Sequence, residues 1–150
     1  MKKRILALAL TAVMALGLAA CGSSDSKGES NASGGETAEG EVPTVGVLIY
    51  KYDDTYISTV RNAIETALDG KAEIIMQDGK GDQATQNDQL DVMIEKGVDV
   101  LCVNMVDAKA AQGVADKAKE AGIPTIFFNR EPDTEVIKSY DKSIFIGTNA

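Results

Sequence analysis

The chain predicts an α/β domain built on a parallel sheet with helices on both faces. Three observations carry that expectation. Five short apolar runs recur between residues 44 and 146. Most of the segments between them space their apolar residues at helical intervals, and those segments close on Gly before the next run begins. Strand–helix alternation with short turns indicates right-handed βαβ units.

The first strand is expected over residues 44–50. Val45-Gly-Val-Leu-Ile49 is near-continuous in apolar side chains, the mark of a strand covered on both faces. Ile57, Val60, Ile64, Ala67 and Leu68 then fall on one helical face, stopped by Gly70. A second strand follows over 72–76. Asp82 is a plausible N-cap for a helix carrying Leu90, Met93 and Ile94 and closed by Gly97. The third strand is expected over 98–103. Asp107 caps a helix marked by Ala111, Val114, Ala115 and Ala118, which Gly122 and Pro124 end. The fourth and fifth strands are expected over 125–128 and 143–146. The crossover between them has weak periodicity and room for a short helical turn only. No internal repeat is visible. The segment Asp78-Gly-Lys-Gly-Asp82 lacks the ligand alternation of an EF-hand-type loop and reads as a turn and a cap.

The two ends read differently. Lys2, Lys3 and Arg4 precede an apolar stretch, residues 5–18, that suits a signal-peptide core and is too short for a membrane span. It closes with Leu18-Ala-Ala-Cys-Gly22, which resembles a bacterial lipobox. That resemblance implies cleavage after residue 20, lipidation of Cys21 and an extracytoplasmic protein anchored to the cell membrane. Residues 21–42 hold the Cys and a Ser/Gly/Glu-rich stretch with almost no large apolar side chain, expected to act as a flexible spacer. The folded part is expected over 43–150. It stops directly after the apolar run at Ile144-Phe-Ile-Gly147, as a chain cut short within a domain would.

Loss of the leader removes three positive charges and no negative ones, taking the net charge from −8 to −11. Such an acidic surface argues against nucleic acid and against anionic headgroups bound by charge. With Cys21 lipidated, Cys102 is the remaining thiol, and its place in Val100-Leu-Cys-Val103 suits a buried, inert small hydrophobe.

Ligands of open α/β sheets bind beyond the carboxyl ends of the strands. Asp53, Asp54 and Tyr56 follow the first strand, Asn104 and Asp107 the third, and Asn129, Arg130 and Glu131 the fourth. Carboxylate and amide groups beside a flat ring suit a neutral sugar. Each residue also has a plainer reading. Asp54 could cap the first helix, Tyr56 could be a core aromatic, and Asn104 could end its strand through a local hydrogen bond. Arg130 and Glu131 could form a surface ion pair.

The stretches Val45-Gly-Val-Leu-Ile-Tyr-Lys-Tyr-Asp-Asp-Thr-Tyr56, Gln86-Asn-Asp-Gln-Leu-Asp-Val-Met-Ile-Glu-Lys-Gly97, Asn104-Met-Val-Asp107, Phe127-Phe-Asn-Arg-Glu-Pro132 and Ser139-Tyr-Asp-Lys142 resemble, in the same order, the galactose/glucose-binding proteins of ABC transporters. The resemblance implies the N-terminal lobe of a type I periplasmic-binding-protein fold. It implies that Asp54 accepts sugar hydroxyls, that Tyr56 packs on one pyranose face where the family often has Phe, and that Asn104 also reaches the sugar. The Phe-Phe-Asn-Arg-Glu-Pro element is expected to shape the cleft, with Asn129 secondary. A second lobe, with further sugar contacts and a calcium-binding loop, is implied beyond this chain, so residues 22–150 alone are expected to bind sugar weakly or not at all. The implied partners are D-galactose or D-glucose, ABC transporter membrane subunits and a chemoreceptor.

Two other classes are disfavoured. A phospho-accepting receiver domain shares the alternating sheet and the acid pair after the first strand. It needs an Asp where this chain has Asn104, and it is cytosolic. An exported enzyme would have to act with no His, one buried thiol and no Gly-x-Ser-x-Gly elbow. Among binding proteins, a receptor for ribose or another pentose is the main alternative.

Overall fold

Five parallel strands form the sheet in the order β2-β1-β3-β4-β5, in a computed structural model that describes residues 42–147. The signal peptide, Cys21 and nearly all of the spacer expected from the sequence lie outside the described residues. Strand β1 (Thr44–Ile49) pairs with β2 (Glu73–Asp78) on one side and β3 (Val100–Val103) on the other. Strands β4 (Thr125–Phe128) and β5 (Ser143–Ile146) extend the sheet beyond β3. The strand order makes β1 an interior strand, which is why Val45 to Ile49 are all buried.

Alternation of side chains divides the core between the two faces. On one face Val45, Val47 and Ile49 meet Ile57, Ile64 and Leu68 of helix α1 (Thr55–Leu68). On the other, Leu48, Leu101, Val103 and Phe127 pack under α2 (Gln83–Glu95) and α3 (Ala111–Ala121), with Leu90, Met93, Val114, Ala115 and Ala118 facing inward. Full burial of side chains such as Leu90 and Met93 stabilises by about 1.5–3 kcal/mol each. Gly46 makes this close approach possible. A Cβ there would lie 3.2 Å from Met93 Sδ and 3.3 Å from both Leu101 and Val98. A short helix α4 (Thr134–Lys138) fills the last crossover.

Helix ends follow the local chemistry. Asp54 caps α1 and Asp82 caps α2, while Asp107 caps a 3-10 turn, Ala108–Ala110, that leads into α3. Gly122 ends α3 in the left-handed region at φ 74°, where a Cβ is unfavourable. Strand β1 ends at Ile49 and β2 begins at Glu73, each one residue inside the expected run, and two further boundaries differ by two residues. Strand β2 runs on through Gln77 and Asp78, because Leu48 and Ile49 of β1 continue to pair with them. Strand β3 starts at Val100, because the Val98 N–H closes α2 on the Met93 carbonyl. No helix among the described residues is long and apolar enough to cross a membrane.

Candidate binding site

Parallel pairing brings the carboxyl ends of β1, β3 and β4 to one edge of the sheet, and the loops that follow carry the candidate residues. Asp54 is half-buried at the start of α1. One carboxylate oxygen accepts the Ile57 N–H at 2.8 Å and the other accepts the Tyr50 hydroxyl at 2.6 Å. The hydrogen bond from Tyr50, then that from Ile57, holds the Asp54 carboxyl below the usual carboxylate range. The same bond to Asp54, with burial second, raises the Tyr50 phenol. Asp54 is therefore an ionised acceptor of fixed orientation at neutral pH. Its neighbour Asp53 is exposed and pairs with Lys51 at 3.1 Å, an ion pair of little energetic weight.

Tyr56 is 62% exposed, which excludes the core-aromatic reading. Its ring borders a groove of about 340 Å³ shared with Val60, Phe128, Asn129, Ile146 and Gly147. An exposed ring two residues from an ionised carboxylate offers one apolar surface and one acceptor within a few residues, although Asp54 and Asn104 do not line that groove. Asn129 stands exposed in the left-handed region at φ 64° and gives its N–H to the Ile146 carbonyl at 3.3 Å.

Asn104 lies at the carboxyl end of β3 and is fully buried. Its N–H donates to the Leu48 carbonyl at 2.8 Å and its side-chain Nδ2 to the Phe128 carbonyl at 3.3 Å. The bond that ends the strand is thus cross-strand, not local. The Asn104 Oδ1 is buried without a partner, so an acceptor stands unfilled at this edge.

Three residues that the sequence reading passed over hold these groups in place. Gln86, fully buried on α2, gives Nε2 to the Asn104 carbonyl at 2.9 Å and takes the Val106 N–H on Oε1 at 3.0 Å. Gln83 accepts the Asp107 N–H at 2.8 Å. The segment after β3 is thereby stapled to α2 by side chains. Tyr50 supplies the hydroxyl on Asp54. Arg130 does not pair with Glu131, as the plain sequence reading allowed. Its guanidinium lies 3.9 Å from the centre of the Tyr50 ring, and its Nη1 donates to the Met105 and Val106 carbonyls. A Gln at helical spacing from Leu90 and Met93 was the one available signal, since a polar residue in an apolar stripe needs a buried partner.

Cys102 is half-buried on the α1 face, and burial pushes its thiol up to about 11. Among the described residues no cluster of three His, Cys, Asp or Glu side chains could hold a metal ion.

Residues 45–150 match the family described as periplasmic binding protein domain. The chain is 41% identical over 107 residues to the D-galactose/methyl-galactoside binding periplasmic protein MglB of Haemophilus influenzae, covering 70% of this chain and 32% of that protein. A solute binding protein of an ABC transporter from Bacillus halodurans, solved with myo-inositol, superposes with a TM-score of 0.64 at 28% identity, covering 75% of this chain and 38% of that one. A solute binding protein from Clostridium phytofermentans, solved with β-D-glucose, gives a TM-score of 0.55 at 26% identity, covering 60% of this chain and 29% of that one. The chain spans about a third of the length of the curated relatives it matches.

Proposed function

The chain belongs to the periplasmic binding protein domain family, and on that premise we propose that it forms one lobe of an extracytoplasmic sugar receptor serving an ABC transporter. The ligand is a monosaccharide, D-galactose or D-glucose. The observation that carries this reading is an oriented Asp54 carboxylate two residues before the exposed Tyr56 ring, both at the carboxyl edge of a parallel sheet. Hydroxyl donors meet a charged acceptor, whose hydrogen bonds are stronger than neutral ones, and the ring takes the apolar face of a pyranose. The unfilled Oδ1 of Asn104 provides a second acceptor once its side chain turns outward.

No bond is made or broken in this reading, so the protein is a receptor and not an enzyme. The described lobe supplies one wall of a cleft, and closure of a second lobe about a hinge buries the sugar. Membrane subunits then recognise the closed form, and a chemoreceptor is a further partner of that form. The leader over residues 1–20, the lipid on Cys21 and the spacer to residue 42 complete the proposal by holding the lobe outside the cytoplasmic membrane. The hexose is favoured over a pentose by the 41% identity to a galactose-binding relative.

Titration of glucose, galactose and ribose by calorimetry into the two-lobed mature protein that this reading requires, beside Asp54→Ala, tests the reading. Saturable hexose binding that Asp54→Ala largely abolishes is expected. Ribose binding alone moves the ligand to the pentoses, and hexose binding indifferent to Asp54→Ala removes Asp54 from the site.

A further inference from the structure

Three loops of the carboxyl edge converge on one side chain that makes none of the expected sugar contacts. Arg130, after β4, sets its guanidinium carbon over the ring of Tyr50, the residue after β1, 3.9 Å from the ring centre. The same group donates to the Met105 and Val106 carbonyls in the segment that follows Asn104. Tyr50 passes the restraint on, giving its hydroxyl to Asp54 at 2.6 Å. We propose that Arg130 is a positioning residue, which fixes the Asp54 carboxylate and the Asn104 segment against each other by clamping the Tyr50 ring and the two carbonyls between them.

The chemistry suits Arg and not Lys. A guanidinium is planar, stacks on an aromatic face and keeps in-plane N–H donors for carbonyls at its rim. An ammonium at that place keeps the charge and loses the plane. Arg130 takes part in none of the ion pairs among the described residues, so its donors are spent on backbone geometry. A phenol free to turn about its side-chain torsions gives a poorly aimed hydrogen bond, and weight on its ring removes that freedom. The charged and titratable groups around the pair are Lys51 and Asp53, which bond to each other, with Arg130, Tyr50 and Asp54 themselves. In the free protein, then, Asp54 is held by a chain of contacts that starts two strands away. The consequence for sugar capture rests on the reading of Asp54 and Asn104 as sugar contacts.

The test follows Asp54 itself by carboxyl ¹³C NMR titration of the two-lobed mature protein, in wild type, Arg130→Lys, Arg130→Met and Tyr50→Phe. Glucose and galactose calorimetry runs in parallel. Both Arg130 variants are expected to raise the Asp54 midpoint in the direction of Tyr50→Phe, and to weaken hexose binding roughly tenfold, the loss of about one well-aimed hydrogen bond. Arg130→Lys titrating like wild type would show that charge alone suffices and would overturn the clamp. An unmoved Asp54 midpoint in Arg130→Met overturns it as well, and if that variant unfolds the Lys variant decides alone. The midpoint is read without sugar. A shifted midpoint in a protein that binds neither hexose keeps the positioning role and discards the sugar reading, so the two failures are distinct.

Discussion

Replacing Gln86 by Leu removes two hydrogen bonds while leaving a side chain of similar size in a fully buried place. The cavity contribution is therefore small, and the cost comes from the groups left behind. The Asn104 carbonyl is buried and loses the Nε2 donor, at the full penalty for an unsatisfied acceptor, about 1–3 kcal/mol. The Val106 N–H is half-buried and regains part of its loss from water, so the sum is about 2–4 kcal/mol. For a domain stable by about 5–15 kcal/mol this is a large fraction, and it lowers Tm by roughly 8 °C or more. Urea unfolding followed by circular dichroism measures it, with an unchanged slope and a lower midpoint. Gln83→Leu provides the contrast. Its bond to the Asp107 N–H lies at the surface, where water replaces it, and its cost should stay under about 1 kcal/mol. A Gln86→Leu loss below about 0.5 kcal/mol, or equal losses in the two variants, would refute the claim that burial sets the value of this staple.

Gly79→Ala should destabilise by about 1–3 kcal/mol in the same assay, because the new Cβ would stand 2.9 Å from the Ile49 carbonyl oxygen and 3.2 Å from that of Tyr50. Asp82→Ala should lower Tm at neutral pH through loss of the α2 cap. The bond from the Thr85 N–H depresses the Asp82 carboxyl, so the cap is fully present above the ordinary carboxylate pKa of about 3.9 and is lost as pH falls through its lower folded value. The difference in Tm between wild type and Asp82→Ala should accordingly close on acidification; a gap that is constant down to acid unfolding would rule out the carboxylate as its source. The Cys102 thiol, pushed up to about 11 by burial, should react slowly with a thiol reagent at pH 8 in the native protein and rapidly in denaturant.

How far the sequence revealed this molecule depends on where each group finds its partner. Val45 to Ile49 declared an interior strand because both faces of β1 are covered, so every position had to be apolar. Strand β2 lies at the sheet edge, where the polar Gln77 and Asp78 extend the backbone ladder, and hydropathy gave no reason to include them. Asp54 was visible because its cap is local, three residues from Ile57. Tyr56 was visible as an aromatic residue following the polar loop, though only the fold decided that it is exposed at the start of α1. The roles of Gln86 and Arg130 were not visible, because their partners lie 18 to 25 residues away, or 80 for the Tyr50 ring. Sequence neighbours offered Glu131 instead, and the fold turns Arg130 away from it.

Capping and ligand contact are often treated as rival explanations of an Asp at a helix start, yet on the proposed reading of Asp54 they reinforce each other. An ionised carboxylate has about four acceptor positions, and Tyr50 and Ile57 occupy two. Those two bonds fix the plane of the group and keep it charged, while the positions left over remain for hydroxyl donors. The same charge selects the ligand class on the proposed reading. The nearest cations are already engaged, Lys51 by Asp53 and Arg130 by backbone carbonyls. A sugar phosphate or uronate brought to Asp54 would meet a fixed negative charge, whereas a neutral sugar brings only donors. On the proposed reading the cap therefore does more than start a helix: by fixing the orientation of the Asp54 carboxylate it would favour uncharged polyols over acidic ones.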